Sequence, residues 1–413
     1  MPQQRRSFAA LRHPGYRVYF VATALAMMAD SIEHVISYWI MFQKFHSPAL
    51  GGFAVLSHWL PYLLFGVHSG ALADRFDPRR IIQAGMVLFM LCSLGWGVLF
   101  LTDTLTMTHA VLLLALHGVA AVLWGPSSQI LIHDIVGTAE LQSAIRLNAV
   151  SRWLGLLAGP AVGGAILLAL GPAHGLLLNV TIYAPLAFWL WKAPYGPRFN
   201  PGRAVGQRLR GIADIVGTFA MIASDRVIVA MTLLSGGASL LVGNAYQAQM
   251  PEFSASLGHG GGGLYYSLLL TADAAGALTA GLVLEGSGLL PPRPRTAILL
   301  VLLWCGAIAG FAVAPNYVLA LLCLLAAGFL ELSFNAMAQT LVQLHAPADV
   351  RGRVVGLYSM SGLGLRAFSG VTVGVGGSLI GIHWALGLSA LTLMAVTAAV
   401  AWTAGAIPAQ AGE

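Results

Sequence analysis

The chain has 413 residues, of which 58% are hydrophobic and only 9% are charged, whereas a soluble domain carries about 25% charged residues. Its 21 basic and 15 acidic side chains give a net charge of +6, but the basic residues are scattered between apolar runs. A nucleic-acid-binding protein would gather them on one face or arm. The composition therefore excludes a soluble enzyme, argues against a nucleic-acid partner and predicts a multi-pass membrane protein.

Apolar stretches long enough to cross a bilayer recur along the whole chain. A membrane-spanning helix needs about 20 mostly apolar residues, whereas transmembrane β-strands are about half as long and alternate in polarity. The stretches predict an all-α membrane protein with twelve transmembrane helices, near 17–42, 49–73, 80–101, 106–133, 143–170, 174–193, 227–250, 262–285, 296–314, 317–344, 354–381 and 384–404.

A long polar interval divides these helices into two groups of six. We predict an N-terminal bundle at 1–193, a cytoplasmic linker at 194–225 and a C-terminal bundle at 226–413. Most lysines and arginines lie on one side of the predicted membrane and only Lys44 on the other, so the positive-inside rule makes both termini cytoplasmic. The basic side chains then have anionic lipid headgroups as partners. Paired bundles are typical of secondary transporters.

The loop after the second predicted helix joins a small residue to an acid and three arginines: Gly70, Asp74, Arg75, Arg79 and Arg80. Glycine permits close helix approach, the acid can accept hydrogen bonds, and arginines anchor at the headgroups. The run 70–80 resembles the loop motif of the major facilitator superfamily, with Asp77 where the family has glycine. The resemblance implies a gating role for these residues and two six-helix bundles around a central cavity.

The fifth predicted helix contains two overlapping small-xxx-small steps, Gly155 to Gly159 and Gly159 to Gly163. Such a face lets another helix pack closely, and Pro160 is expected to free a carbonyl and bend the helix. Packing is one interpretation of this segment. The segment also looks like the glycine-proline motif associated with proton-coupled antiporters, which favours export.

A third match lies at the start of the eleventh predicted helix, where 347–360 contains Arg351 and Arg353. Together with Gly125 and Pro126 it resembles the bacterial branch of siderophore (enterobactin-type) and macrolide or multidrug exporters, which implies the cell inner membrane. The arginine that many drug antiporters carry in the fourth helix is absent, and His117 lies near that region.

The first predicted helix carries Asp30, Glu33, His34 and Ser37 within about 100° of arc. An ionised side chain at a helix centre costs about 2.5–3.5 kcal/mol and needs a partner or a wet cavity. The resemblance places this helix on the cavity, so we expect Asp30 and Glu33 to exchange protons for substrate, with His34 pairing with or tuning them. A static hydrogen-bonded cluster is the alternative.

The C-terminal half and the aromatic residues offer further candidates. Asp273 and Glu331 are candidate protonation sites, although Asp273 can equally pair with an arginine such as Arg366. The candidate substrate-binding residues, for which interhelical packing or an interfacial position is the alternative, are Ser37, His58, Trp59, Tyr62, Trp124, Asn244, Gln247, Glu331, Asn335 and Gln339.

We therefore expect a proton-coupled exporter of a small organic molecule such as a drug or siderophore, working as a monomer by alternating access. The absence of a GxxxxGK[ST] motif argues against ATP coupling, and no cofactor is expected. The alternative is a divalent-metal exporter of the ferroportin type, because Asp30 and His34 at i, i+4 could both bind one cation.

Overall fold

The computed structural model describes residues 8–45, 48–199, 216–217, 219–220, 222–243, 245–258, 263–287, 289–369, 372–373 and 376–404. Across these ranges the regular structure is helical, as the apolar stretches predict. Within the described ranges, eight helices are long and apolar enough to cross a membrane, and Arg226–Leu241 is a shorter apolar helix. The all-helical class is confirmed, and the count of twelve spans stays a prediction.

The first four helices of the N-terminal half begin where the sequence supplies a capping side chain or a proline. These helices are α1 (Pro14–Phe45), α2 (Pro48–Arg75), α3 (Pro78–Leu101), α4 (Met107–Val136) and α5 (Leu141–Lys192). The Asp77 side chain accepts the Arg79 N–H at the start of α3, and Thr106 forms a capping box with His109 at the start of α4. Proline at the first helical position and acceptor side chains at the cap both favour a helix start.

Two predicted spans, 143–170 and 174–193, are continuous in α5 apart from a break at Gly171. Gly171 has φ 74°, a left-handed value that favours glycine. We expect Pro160 to bend this helix, but the residue with non-helical dihedrals inside α5 is Gly171. The break therefore lies at the predicted boundary between the fifth and sixth spans.

The C-terminal half contains longer helices separated by short ones. They are α6 (Arg226–Leu241), α7 (Ala245–Ala248), α8 (Met250–Ser256), α9 (Gly263–Ser287), α10 (Pro294–Ala312), α11 (Tyr317–His345), α12 (Arg351–Gly362), α13 (Gly376–Ile380) and α14 (Ile382–Ala404).

Two predicted spans in this half are wrong as continuous helices. The span 227–250 is interrupted after Leu241, and the span 354–381 ends its regular helix at Gly362, followed by a 3-10 segment at Gly364–Phe368. At the end of the second interrupted helix, the Gly362 carbonyl accepts a hydrogen bond from the Ser239 hydroxyl. Neighbouring side chains of this kind make a broken helix tolerable at membrane depth.

The structure separates into two compact units. One contains Met1–Leu209 with Pro347–Met360, and the other contains Arg210–Ala346 with Ser361–Glu413. In the first unit, α1 and α3 pack against α5 while α2 packs against α4. In the second, α9 and α10 both pack against α11. Most of α12 thus belongs with the N-terminal helices.

Candidate functional site

Two acids of α1 lie buried in the first unit with a histidine of α4 between them. Asp30 and Glu33 are 8% and 2% exposed. His117 Nε2 lies 2.9 Å from Asp30 Oδ1, and His117 Nδ1 lies 2.8 Å from Glu33 Oε1. A single imidazole therefore connects the two carboxylates, and a proton on His117 would balance part of their charge.

Glu33 is also held from α3 and α5. The Ser93 hydroxyl donates to Glu33 Oε2, and the Asn179 amide donates to Ser93 Oγ at 3.0 Å and to the Ala29 carbonyl at 2.9 Å. This chain of hydrogen bonds joins α1, α3 and α5 behind the acids. It fixes the Glu33 carboxylate while leaving His117 on its other oxygen.

His34 and His58 complete what we call the acid–histidine cluster: Asp30, Glu33, His34, His58 and His117. His34 Nδ1 lies 2.8 Å from the Asp30 carbonyl oxygen and 3.7 Å from Asp30 Oδ2. The ring centroid of His34 lies 5.0 Å from that of His58 and 4.8 Å from that of His117. One ring nitrogen from each of the three histidines lies within 4.8 Å of the others.

The predicted aromatic residues surround this cluster with different exposure. Trp59 is half-buried, with its ring 4.6 Å from His58 and 6.4 Å from Tyr62. The Tyr62 hydroxyl donates to the Ala121 carbonyl at 2.8 Å, which ties α2 to α4. Trp124 is buried near Phe89, with 6.1 Å between ring centroids. Of the three, Trp59 is the ring with exposed surface for a ligand.

Ser37 is buried one turn beyond His34. Its hydroxyl donates to the His34 carbonyl at 3.4 Å. The hydroxyl therefore supports the helix at the edge of the cluster.

The second unit contains its own pair of acids, of which Asp273 is buried and Glu331 half-buried. Gln247 Nε2 donates to Asp273 Oδ2 at 3.0 Å, and the Tyr246 hydroxyl lies 3.3 Å from the same oxygen. Arg366 Nη2 lies 3.4 Å from Glu331 Oε1. Arg366 therefore reaches the acid of α11, while an amide and a phenol group reach Asp273.

Glu331 and Asn335 line a small cavity in this unit together with Trp304 and Arg366. The Trp304 indole nitrogen is buried without a hydrogen-bond partner among the described residues. Gln339 is half-buried further along α11. Asn244 lies outside the described residues.

Asp74 in the predicted loop motif binds the backbone at the start of α12. Its carboxylate accepts the Gly352 N–H at 2.5 Å and the Arg353 N–H at 2.9 Å. A side chain on Gly70 would overlap the Gly352 carbonyl, so glycine permits this close approach. The N–H groups of a helix start have no partner within the helix, and Asp74 supplies one.

The arginines of the motif have different surroundings. Arg79 is buried and binds Asp77 and the Ala193 carbonyl, while Arg80 is exposed and donates to Gln83 at 2.7 Å. Arg75 is exposed over the Phe76 ring. Asp77, which replaces the family glycine, caps α3 and fixes Arg79, so the turn is held by side-chain bonds.

Arg353 is buried, and Arg351 Nη1 lies 3.5 Å from His133 Nδ1 of α4. Both arginines therefore lie against the N-terminal helices of their unit.

The small face of α5 packs against α1. A side chain at Gly155 would meet Ala24 and Met27, and one at Gly159 would overlap Ser31. Gly163 is less crowded, with Ile32 Cα 3.3 Å from an added Cβ. Pro160 points to the exposed side. The contacts support the packing interpretation of this segment.

Sequence reasoning missed three residues of the site: Ser93, His117 and Asn179. The absence of the family arginine near His117 was the available signal, since a different basic group then had to balance Asp30 and Glu33. Nothing in the local pattern marks Ser93 or Asn179, because their partners lie 60 and 86 positions away along the chain.

Comparison with known proteins agrees with this architecture. The family model described as transmembrane secretion effector matches residues 5–410. The enterobactin exporter EntS of Citrobacter koseri is 24% identical over 366 residues, covering 84% of this chain and 81% of that protein. EntS of Salmonella typhimurium is 24% identical over 370 residues, covering 84% and 82%.

Two solved structures show the same fold at low identity. The Escherichia coli fucose:proton symporter FucP has a TM-score of 0.72 at 13% identity, covering 96% of this chain and 99% of that one. A bacterial homologue of the iron transporter ferroportin has a TM-score of 0.68 at 17% identity, covering 95% and 99%. With the family match over nearly its whole length, the chain belongs to the transmembrane secretion effector family of the major facilitator superfamily, and is a multi-pass transporter of the cell inner membrane, not an enzyme.

Proposed function

We propose that the chain is a proton-coupled antiporter that exports a small organic molecule of the siderophore or drug class by alternating access. The proposal includes twelve transmembrane helices in two six-helix bundles, with both termini cytoplasmic. The enterobactin exporters among the relatives support a siderophore-like cargo. The observation that carries the proton coupling is the Asp30–His117–Glu33 bridge.

The bridge has the chemistry that proton exchange requires. Two carboxylates at membrane depth are costly unless they are neutralised. Each must therefore be protonated or paired, and a proton must arrive or leave whenever the pairing changes. His117 has one ring nitrogen on each acid and can accept a proton from one and donate to the other. Half-buried His34 lies beside it and provides a route towards less buried surface.

We assign cargo recognition to an aromatic side chain of the first unit and to polar side chains of the second. Trp59 offers a face for a flat ring in the first unit, and Glu331, Asn335 and Arg366 offer polar groups in the second. Apolar and aromatic walls with a few polar groups are typical of small-molecule sites. Gly70, Asp74 and the arginines Arg75, Arg79, Arg80, Arg351 and Arg353 are assigned to gating.

The test is transport by purified protein in liposomes with an imposed pH gradient. Asp30→Asn and Glu33→Gln should abolish pH-driven movement of an iron-free catecholate siderophore, while Glu252→Gln, an exposed acid of α8, should leave it unchanged. Full activity of both cluster variants contradicts the coupling role. A parallel arm with Fe²⁺ or Mn²⁺ tests the second candidate function, metal export, which the grouping of three imidazoles favours.

A further inference from the structure

We propose that the acid–histidine cluster binds one divalent first-row transition-metal ion through His34, His58 and His117, with Asp30 as the fourth ligand. Binding at this place rests on the positions of the side chains and holds whether or not the protein couples transport to protons. Three imidazoles and one carboxylate form a donor set that suits Zn²⁺, Co²⁺ and Fe²⁺.

The available nitrogens point to this set. His34 uses Nδ1 on the Asp30 carbonyl oxygen at 2.8 Å, which leaves Nε2 for a ligand. His58 Nδ1 is buried and makes no hydrogen bond with the described residues. His117 Nε2 faces Asp30 Oδ1 at 2.9 Å. A buried imidazole nitrogen left without a partner is costly, and a metal ion bound between these rings would satisfy His58 Nδ1 while binding His117 and Asp30 together.

The spacing is close to what coordination needs. Ligand nitrogens about 2.0–2.1 Å from a tetrahedral ion lie about 3.4 Å apart, and the three histidine nitrogens here lie within 4.8 Å of one another. To close this gap, the histidine nitrogens must move by about an ångström through rotation of their side chains. His34 and His58 are half-buried, so both rings have room to turn.

Glu33 would bind a histidine ligand of the metal ion and would not bind the ion itself. Metal-bound histidines commonly donate their other ring N–H to a carboxylate, which fixes the ring and strengthens the ligand. His117 Nδ1 lies 2.8 Å from Glu33 Oε1, and Ser93 and Asn179 hold Glu33 from behind. The hydrogen bonds from His117 to Glu33, from Ser93 to Glu33 and from Asn179 to Ser93 therefore already hold this histidine ligand in position.

The experiment is a titration of tag-free, metal-free protein in detergent with Co²⁺, followed by its visible absorption and by displacement with Zn²⁺. One equivalent of Co²⁺ should bind and give the intense bands of a low-coordinate nitrogen-rich site. His58→Ala should weaken binding more than 100-fold, and Glu33→Gln should weaken it by about 10- to 100-fold. His68→Ala, an exposed histidine on the same helix, is the matched control and should bind as wild type does.

A thermal shift on adding Zn²⁺ gives a second measurement, with the melting temperature rising for wild type and His68→Ala but not for His58→Ala. Because the His58 ring nitrogen makes no protein hydrogen bond, this variant should fold even where His117→Ala does not. Equal binding by His58→Ala and wild type, or no Co²⁺ binding by wild type, overturns the proposal. Loss of pH-driven transport with metal binding intact would instead concern the proposed function alone.

Discussion

Gly159 is a position where one added methyl group should be costly, because its Cβ would overlap the Ser31 side chain where α5 meets α1. Overpacking a fitted interface costs about 1–3 kcal/mol, while replacing a helical glycine by alanine gains about 0.5–1 kcal/mol. Gly159→Ala should therefore lower the free energy of unfolding by about 1–2 kcal/mol. Ser31 stands between Asp30 and Glu33 in the chain, so pH-driven export should fall as well.

Two neighbouring glycines supply a graded control on the same helix. An added Cβ at Gly163 would lie 3.3 Å from Ile32 Cα, and one at Gly164 would meet nothing within 4 Å. Gly163→Ala should be close to neutral, and Gly164→Ala should be stabilising by up to about 1 kcal/mol. The measurement is denaturant and thermal unfolding in detergent for all three variants. If Gly159→Ala is as stable as Gly164→Ala, the close packing of α1 on α5 is refuted.

Asn179→Leu removes two buried hydrogen bonds and should lower the free energy of unfolding by about 1–3 kcal/mol, given the values measured within membranes. Thr181→Val, on the exposed side of α5, is the control and should leave it unchanged. Unfolding curves of the two variants in detergent provide the measurement. Asp74→Ala removes two charge-assisted bonds to α12, worth about 1.5–3 kcal/mol each, and a melting temperature equal to wild type would contradict this. The Lys44 ammonium lowers the pKa of exposed Asp103, so Lys44→Met should reduce the melting temperature at neutral pH. That difference should begin to shrink as the pH falls below about 4, the ordinary pKa of an aspartate, and should vanish once the pH lies below the lowered pKa of Asp103, because the protonated side chain no longer holds the pair. A difference that persists in stronger acid would argue against the pair.

Local spacing was sufficient to place Asp30, Glu33 and His34 together, because residues three and four apart share a helix face. The same logic predicted the helical class from runs of about 20 apolar residues. It did not supply His117, which lies 84 positions from Glu33. A contact between residues so far apart in the chain depends on which helices pack together. The periodicity of either helix alone does not predict that packing.

The broken end of α12 was missed for a related reason. The residues after Gly362 are small or apolar for the most part, with Arg366 as the charged exception, and their mean hydropathy is that of a continuous span. The interruption is stabilised by α6, where the Ser239 hydroxyl donates to the Gly362 carbonyl and the Thr232 backbone carbonyl accepts from the Ser361 hydroxyl. Because the compensating partners come from another helix, a window moved along the sequence cannot register them.

Proton exchange and metal binding at the acid–histidine cluster satisfy the same electrostatic requirement. A divalent ion and two protons bring equal charge to Asp30 and Glu33, so either can neutralise two carboxylates at membrane depth. Their geometry differs, because the proton bridge needs only His117 between the acids, whereas a metal ion also needs His34 and His58 turned towards it. His58→Ala therefore separates the two activities: it removes a metal ligand while leaving both His117 contacts in place.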